Sequence, residues 1–334
     1  MESTQFVLAS RPYGLPSPAN FRIEKSPLRQ LLDNEVLLKS WYISVDPYMR
    51  GRMNVVKSYA ANYEVDHPII GGIVAKVIDS KSKSILVGDI VKGTLPWATY
   101  SIENAENLKK IDVSEISPTN FLGILGMPGY TAYFGMIDIC KPAKGETVVV
   151  SGAAGAVGLA AGQLAKIKGT RVIGITGSDE KCAMLRDQFG FDEAVNYKTT
   201  KSIRKELAKI CPEGVDVYFD NVGGEITEGV VANLDYHARI ALCGQISQYN
   251  STKIPAGNLM MSMLLTKSVM LQGFIVRNYS ERYGEAHQYL LKLWNEGKLK
   301  YTETIIEGFE SLPDAFLGLF HGVNKGKMLV KIGD

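Results

Sequence analysis

The chain is short of the residues that build metal and disulfide sites. It has four Cys and four His in 334 residues. Cys140, Cys182, Cys211 and Cys243 are scattered, and no two form a C-x-x-C pair. That argues against a disulfide framework and against a dense zinc site, and it points to a reducing, cytoplasmic setting. An excess of one charge is also lacking. With 37 Lys and Arg against 35 Asp and Glu, the net charge is +2. This rules out an overall polybasic character, though not a local patch, so no nucleic-acid partner is expected. Long apolar runs are missing too. Met1 to Pro12 has no extended apolar core of the kind a secretion signal carries. The most apolar stretch, Val148 to Ala165, is interrupted by Ser151, Gln163 and four glycines. A membrane span needs about 20 apolar residues, so no membrane partner is expected.

What remains is an ordinary globular composition, 46% apolar and 22% charged, at a length where one core tends to split into two. Residues 1 to about 121 read as β-rich. Glu35 to Val45, Ile69 to Ile78 and Gly88 to Gly93 are β-branched, apolar runs separated by turn residues. From 122 to about 298 the rhythm changes. Phe121 to Ile139 reads as a helix interrupted at Met127-Pro-Gly129. Strands at 146–150, 171–176, 193–196, 215–219 and 238–242 then alternate with helices at 155–169, 179–188, 202–210 and 225–234. Short apolar strands alternating with helices predict an α/β domain with a doubly wound parallel sheet. Residues 299–334 return to short strand-like segments and are expected to rejoin the first domain.

Directly after the strand Val148-Val-Val150 stands Ser151-Gly-Ala-Ala-Gly-Ala-Val-Gly158, an Ala-led variant of G-x-G-x-x-G. Small residues there let backbone amides approach a pyrophosphate, and the following helix N-terminus favours its charge. A small-residue helix that merely packs on the sheet is the plain alternative. The next strand runs into Thr176-Gly-Ser-Asp-Glu-Lys181. Gly177 occupies roughly the place where NAD enzymes keep an acid for the ribose hydroxyls. Lys181 falls in the first helical turn, behind Ser178 as N-cap. A base there opposes the helix dipole at a cost of about 0.3–1 kcal/mol, which a bound phosphate would reverse. Lys181 therefore reads as a ligand to the 2′-phosphate of NADP. Asp179 and Glu180 leave open a ribose contact instead.

These motifs, with Val45-Asp-Pro-Tyr-Met-Arg50, Gly126-Met-Pro-Gly-Tyr-Thr-Ala-Tyr-Phe-Gly135, Tyr218-Phe-Asp-Asn-Val-Gly-Gly224 and Gly326-Lys-Met-Leu-Val-Lys331, resemble the medium-chain dehydrogenase/reductase superfamily over nearly the whole chain. More narrowly they resemble its zinc-independent branch, which includes prostaglandin reductases, plant alkenal double-bond reductases and bacterial curcumin reductase. The resemblance implies a Rossmann domain at 122–298 and a GroES-like β domain at 1–121 and 299–334. It implies NADPH as cofactor, held by Gly155, Ala156, Val157 and Gly158 at the pyrophosphate and by Lys181 and Tyr197 at the phosphate end. Asn221, the run Cys243, Gly244, Gln245, Ile246, Ser247, Gln248 and Tyr249, the backbone of Phe274, Ile275 and Val276, and Asn324 complete the implied contacts. A homodimer is implied as well.

Zinc-dependent relatives carry ligands where this chain reads Ser44 to Arg50 and Ile70-Gly-Gly-Ile73, and a catalytic zinc takes about three protein ligands. No metal is expected, and His67 reads as a surface or turn residue. The activity implied is reduction of the carbon–carbon double bond of a small, apolar enone or enal by hydride transfer to its β-carbon. Charge then develops on the carbonyl oxygen, and a hydroxyl donor would stabilise it. Tyr249, Tyr48 and Tyr59 are the candidate proton donors or pocket residues, with the cofactor's ribose hydroxyl or water as alternatives. Arg50 could clamp a carboxylate or make a structural ion pair. A quinone reductase on the same scaffold, or an NADPH-binding redox sensor without turnover, would carry the same motifs.

Overall fold

A computed structural model describes residues 1–253 and 260–333. The chain divides into two compact units. One holds Met1–Gly123, Glu303–Asn324 and Met328–Asp334, and the other Ile124–Thr302 with Lys325–Lys327. Residues 299–302 and 325–327 thus sit with the second unit, apart from the rest of the tail.

The first unit is mostly β. Its strands are β1 (Glu2–Leu8), β2 (Phe21–Pro27), β3 (Glu35–Ser44), β4 (Ile70–Ser80), β5 (Ile90–Pro96), β6 (Tyr100–Asn104) and β7 (Lys109–Lys110), with one helical turn, α1 (Met49–Arg52), between β3 and β4. β3 alternates buried and partly exposed side chains along most of its length, as a strand with one face on a core does. It pairs antiparallel with β4 and β6. The core beneath gathers Val36, Leu38, Ile43, Met49, Ile73 and Trp97.

The second unit alternates strand and helix. Its elements are α2 (Met127–Tyr133), β8 (Thr147–Ser151), α3 (Ala156–Ile167), β9 (Arg171–Thr176), α4 (Asp179–Phe189), β10 (Glu193–Asn196), α5 (Ile203–Ile210), β11 (Val215–Asp220), α6 (Gly224–Val231), β12 (Leu234–Leu242), α7 (Met260–Thr266), β13 (Met270–Gly273) and α8 (Tyr283–Asn295). The sheet order is β10-β9-β8-β11-β12-β13, with every neighbouring pair parallel. This is the doubly wound α/β sheet. The strand order reverses between β8 and β11, which is where such sheets open a ligand crevice beyond their carboxyl ends. β8 and β9 are buried almost end to end, because helices cover both faces of a parallel sheet.

Two expectations are corrected. Met127-Pro-Gly129 does not interrupt a helix but starts one: α2 begins at Met127 with Pro128 in its first turn, where a missing N–H costs nothing. Gly129 follows because a Cβ there would lie 1.7 Å from Ile124 O. The chain then widens into π-helical turns over Phe134–Cys140. The tail is not all strand. Between β14 (Glu303–Glu307) and β15 (Lys327–Lys331) it forms α9 (Leu312–His321). Leu312, Ala315, Phe316 and Leu319 are buried in the first unit's core. Their i, i+3, i+4, i+7 spacing is a helical signal that the strand reading overlooked. β14 and β15 extend the first unit's sheet beside β3.

One buried carboxyl group organises the carboxyl edge of the second sheet. Asp220, last in β11, is fully buried. Its Oδ1 accepts from Ser151 Oγ (3.0 Å), Tyr218 OH (2.8 Å), Val222 N–H (2.9 Å) and Gly223 N–H (3.0 Å). Its Oδ2 accepts from Thr227 Oγ1 (2.6 Å). Asp220→Ala orphans these buried donors, each worth about 1–3 kcal/mol. The expected loss of unfolding free energy is on the order of 3 kcal/mol, read by urea unfolding, and a loss below about 1 kcal/mol would refute the central role given to this group. Packing on the other side of the sheet is equally tight. A Cβ on Gly162 in α3 would sit 2.0 Å from the buried Phe191 ring. Gly162→Ala should therefore destabilise by about 1–3 kcal/mol, outweighing the roughly 1 kcal/mol that Ala offers a helix; a raised urea midpoint would contradict this.

Candidate dinucleotide-binding site

The turn from β8 into α3 is built for close approach. Gly152 has a left-handed backbone, φ +59°. Gly155 caps α3 with an extended conformation. At Gly158 a Cβ would lie 2.3 Å from Gly152 O and 2.7 Å from Ala153 Cα, so only glycine lets the helix start this near the strand end. The first N–H groups of α3, from Ala156, Val157 and Gly158, have no acceptor earlier in the helix. Together they form an amide-rich, positively polarised cradle suited to a pyrophosphate. The cradle is closed from the far end of the sequence. Gly326 N–H donates to Ala154 O at 2.8 Å, and residue 326 forms a parallel bridge with Gly155.

One strand over, β9 ends at Thr176. Ser178 caps α4, accepting from Lys181 N–H at 3.2 Å. A Cβ at Gly177 would meet the Tyr197 ring and hydroxyl at about 3.1 Å, so a larger residue there would displace Tyr197. The acidic neighbours have partners within the protein: Asp179 accepts from Asn196 Nδ2 at 2.8 Å, and Glu180 pairs with Lys325. Burial lowers the Lys181 pKa from its ordinary value. The nearby charges of Lys198 and Lys325 lower it further, while Glu180 works in the opposite direction. Three bases thus bear on one spot. The sequence reading named Lys181 and Tyr197 but missed Lys198 and Lys325. Lys198 is adjacent to Tyr197 and was within reach; Lys325 is 144 residues from Lys181 and had no local signal.

At β11 and β12 two loops are tied together. Asn221 Nδ2 donates to Ser151 O (2.8 Å), and its N–H donates to Ser151 Oγ (2.9 Å). Cys243 and Gly244 N–H donate to Asp220 O. Ser247 N–H and Oγ both donate to Val222 O, the latter at 2.6 Å. Gln245 packs where a Cβ on Gly223 would lie, 3.1 Å from its Cγ. Ile246 to Gln248 make a single helical turn. The Tyr249 hydroxyl accepts a long bond from Gln245 N–H, 3.4 Å. Burial, with the Asp220 charge second, raises the Cys243 thiol to about 12, so it is neutral at pH 7. Phe274 follows β13, its N–H donating to Leu242 O at 3.3 Å. Its ring turns inward, edge-on to Phe219, which leaves the backbone of 274–276 as the part able to face a ligand. The second unit therefore brings together Gly155 to Gly158, Lys181, Tyr197, Asn221, Cys243 to Tyr249 and Phe274 to Val276 along the carboxyl ends of its strands.

The remaining candidates lie in the first unit. Tyr48 precedes α1 and packs against that unit's core. Burial, with Asp46 second, raises its hydroxyl pKa well above the ordinary value, so it stays protonated. Tyr59 is half exposed. Arg50 is buried, with hydrogen bonds to Gly14 O (2.8 Å), Pro12 O (3.4 Å) and Asn54 Oδ1 (2.7 Å), a staple between the 12–14 loop and α1. Ser44 Oγ donates to Asp46 Oδ2. His67 is exposed and its ring contacts Val65 O. Asn324 belongs to this unit, one residue before the 325–327 segment. Among the described residues no group of three or more His, Cys, Asp or Glu stands close enough to hold a metal ion, and no helix is long and apolar enough to cross a membrane. The apolar run Leu259-Met-Met-Ser-Met-Leu-Leu265 begins outside the described residues.

Comparisons with known proteins identify the family. Residues 4–111 match the family model described as the N-terminal domain of oxidoreductase, and residues 156–292 the one described as zinc-binding dehydrogenase. The chain is 40% identical to the NADPH-dependent curcumin reductase of Escherichia coli (strain K12), over 98% of this chain and 96% of that one. It is 39% identical to a 2-alkenal reductase (NADP(+)-dependent) of Nicotiana tabacum, over 99% and 98%. The crystal structure of CurA in complex with NADPH from Vibrio vulnificus superposes with a TM-score of 0.95, at 43% identity and 99% coverage of both chains. The chain belongs to the zinc-independent branch of the medium-chain dehydrogenase/reductase superfamily.

Proposed function

We propose that this protein is an NADPH-dependent reductase of carbon–carbon double bonds conjugated to an aldehyde or ketone. The observation that carries the reading is the pairing of a glycine-lined amide cradle at the end of β8 with the end of β9, where Gly177 stands in place of an acid, Lys181 supplies a base, and Asp179 and Glu180 are engaged by Asn196 and Lys325. The names of the relatives, a curcumin reductase and a 2-alkenal reductase, support the substrate class.

Bound NADPH supplies the hydride. The chain's own residues hold and polarise. The amides of Ala156, Val157 and Gly158, behind the Gly155 cap, take the pyrophosphate, Lys181 the 2′-phosphate, and Tyr197 the face beside Gly177. Asn221, Cys243 to Tyr249 and the backbone of Phe274 to Val276 line the rest. Hydride arrival at the substrate's β-carbon moves charge to its carbonyl oxygen, and Tyr249 is the donor we assign there. Its oxygen accepts from Gln245 N–H, and a phenol that accepts from an amide donates its own proton more strongly. Tyr48, its hydroxyl pKa raised by burial, and Tyr59 are proposed as pocket residues of the first unit and not as donors. Cys243, a neutral thiol, takes no part as a nucleophile.

A second copy of the chain is the partner we assign. β13 is an edge of the parallel sheet with all four residues exposed, and Met261 and Leu265 of α7 are bare to solvent. Such an edge invites pairing, and a twofold axis would pair it with itself. The four free cysteines favour a cytoplasmic setting.

Loss of NADPH absorbance with a panel of enones, enals and quinones tests the activity. Turnover with conjugated enals and enones is expected. Turnover with quinones alone would assign a quinone reductase, and NADPH binding without turnover would assign a redox sensor. Tyr249→Phe should lower kcat by about a hundredfold at nearly constant KM; an unchanged kcat would give the proton to the ribose hydroxyl or to water. Leu271→Lys should convert the dimer to monomer in sedimentation velocity, and a wild-type chain that sediments as a monomer would remove the assignment.

A further inference from the structure

The tail segment 325–327 is fixed on the cradle more firmly than a surface loop. Besides the Gly326–Ala154 hydrogen bond and the bridge to Gly155, Gly326 has φ +64°. A Cβ there would fall 1.8 Å from Thr302 O. The backbone at 325 is therefore held at one place beside the glycine loop. From it Lys325 reaches the first turn of α4 and pairs with Glu180, the residue before Lys181.

The pair needs an explanation beyond stability. Glu180 is exposed and Lys325 about half exposed, and ion pairs near the surface contribute little. Glu180 is already favoured in the first turn by the helix dipole. The charges make sense when a phosphate is counted. A 2′-phosphate brings nearly two negative charges at neutral pH. Lys181 and Lys198 supply two positive charges, and Glu180 adds a third negative one. Without a further base, the phosphate would face Glu180 uncompensated. Lys325 is that base, and its long flexible stem lets it change partners.

We propose that Lys325 is a second specificity-determining cation for the 2′-phosphate of NADPH, held by Glu180 until the phosphate takes its place. The proposal rests on the reading of Lys181 as a 2′-phosphate ligand. It extends the selection of NADPH over NADH to a residue carried in from the end of the chain.

Equilibrium binding tests it, with NADPH, NADH, adenosine 2′,5′-bisphosphate and adenosine 5′-monophosphate titrated into wild type, Lys325→Ala, Glu180→Gln, the double variant and Lys181→Ala. Lys325→Ala should weaken NADPH and the bisphosphate about tenfold while leaving NADH and the monophosphate within about twofold. Glu180→Gln should tighten NADPH, and Lys325→Ala should cost less in that background, because no acid is left uncompensated. Equal weakening of NADPH and NADH by Lys325→Ala would show that the tail only props the cradle, and an unchanged affinity for both would show a bystander ion pair; either result overturns the proposal. Lys181→Ala separates the two readings. If it removes the preference for NADPH and Lys325→Ala does not, Lys325 is excluded while the Lys181 assignment stands. If Lys181→Ala weakens NADPH and NADH alike, the underlying assignment fails.

Discussion

A single buried carboxyl group sets the shape of the carboxyl edge on which this protein's chemistry depends. Asp220 ends β11 inside the protein, out of reach of water. A charge in that position is tolerable only when donors surround it, and five do. They come from the end of β8, from β11 itself, from the loop that follows, and from α6. Asp220 thereby fixes the distance between the two strands where the sheet order reverses. Its backbone oxygen then takes the amides of Cys243 and Gly244, which extends the same constraint to the loop after β12.

Around that anchor, specificity arises from what is kept small and what is kept positive. Gly158 allows helix and strand to meet where any Cβ would collide with backbone. Gly177 acts on two counts. It removes the acid that would repel a 2′-phosphate, and it makes room for the Tyr197 ring. The acids that remain nearby are engaged by Asn196 and Lys325. Lys181 lies in a partly buried, electropositive spot that lowers its pKa, an arrangement that costs free energy in the absence of an anion. Binding an anion offsets that cost.

Much of this was legible from residue order. The apolar strands, the small-residue turn, the Ser178 cap and the placement of Lys181 three residues on are local features, and local backbone chemistry produced each of them as expected. Three features were misread or missed. Pro128 and Gly129 look like breakers unless one knows that Ile124 O lies where a Cβ would go. The tail helix was read as strand although its apolar spacing is helical, because neighbouring short β segments dominated the impression. The partners of Glu180 and Asp179 were left open, since a side chain's choice between a ligand and a neighbour depends on what the fold places within reach.

Sequence alone determined the parallel sheet, the glycine-rich turn after β8 and the absence of an acid at 177, because these follow from periodicity, residue size and charge within a few dozen consecutive residues. Tertiary structure decided the rest. It brought Ser151 to Asp220, laid Tyr197 against Gly177, and brought Lys325 to the first turn of α4. Those contacts join segments tens to more than a hundred residues apart, and their pairing depends on sheet order and backbone clearance, which no local stretch of sequence encodes.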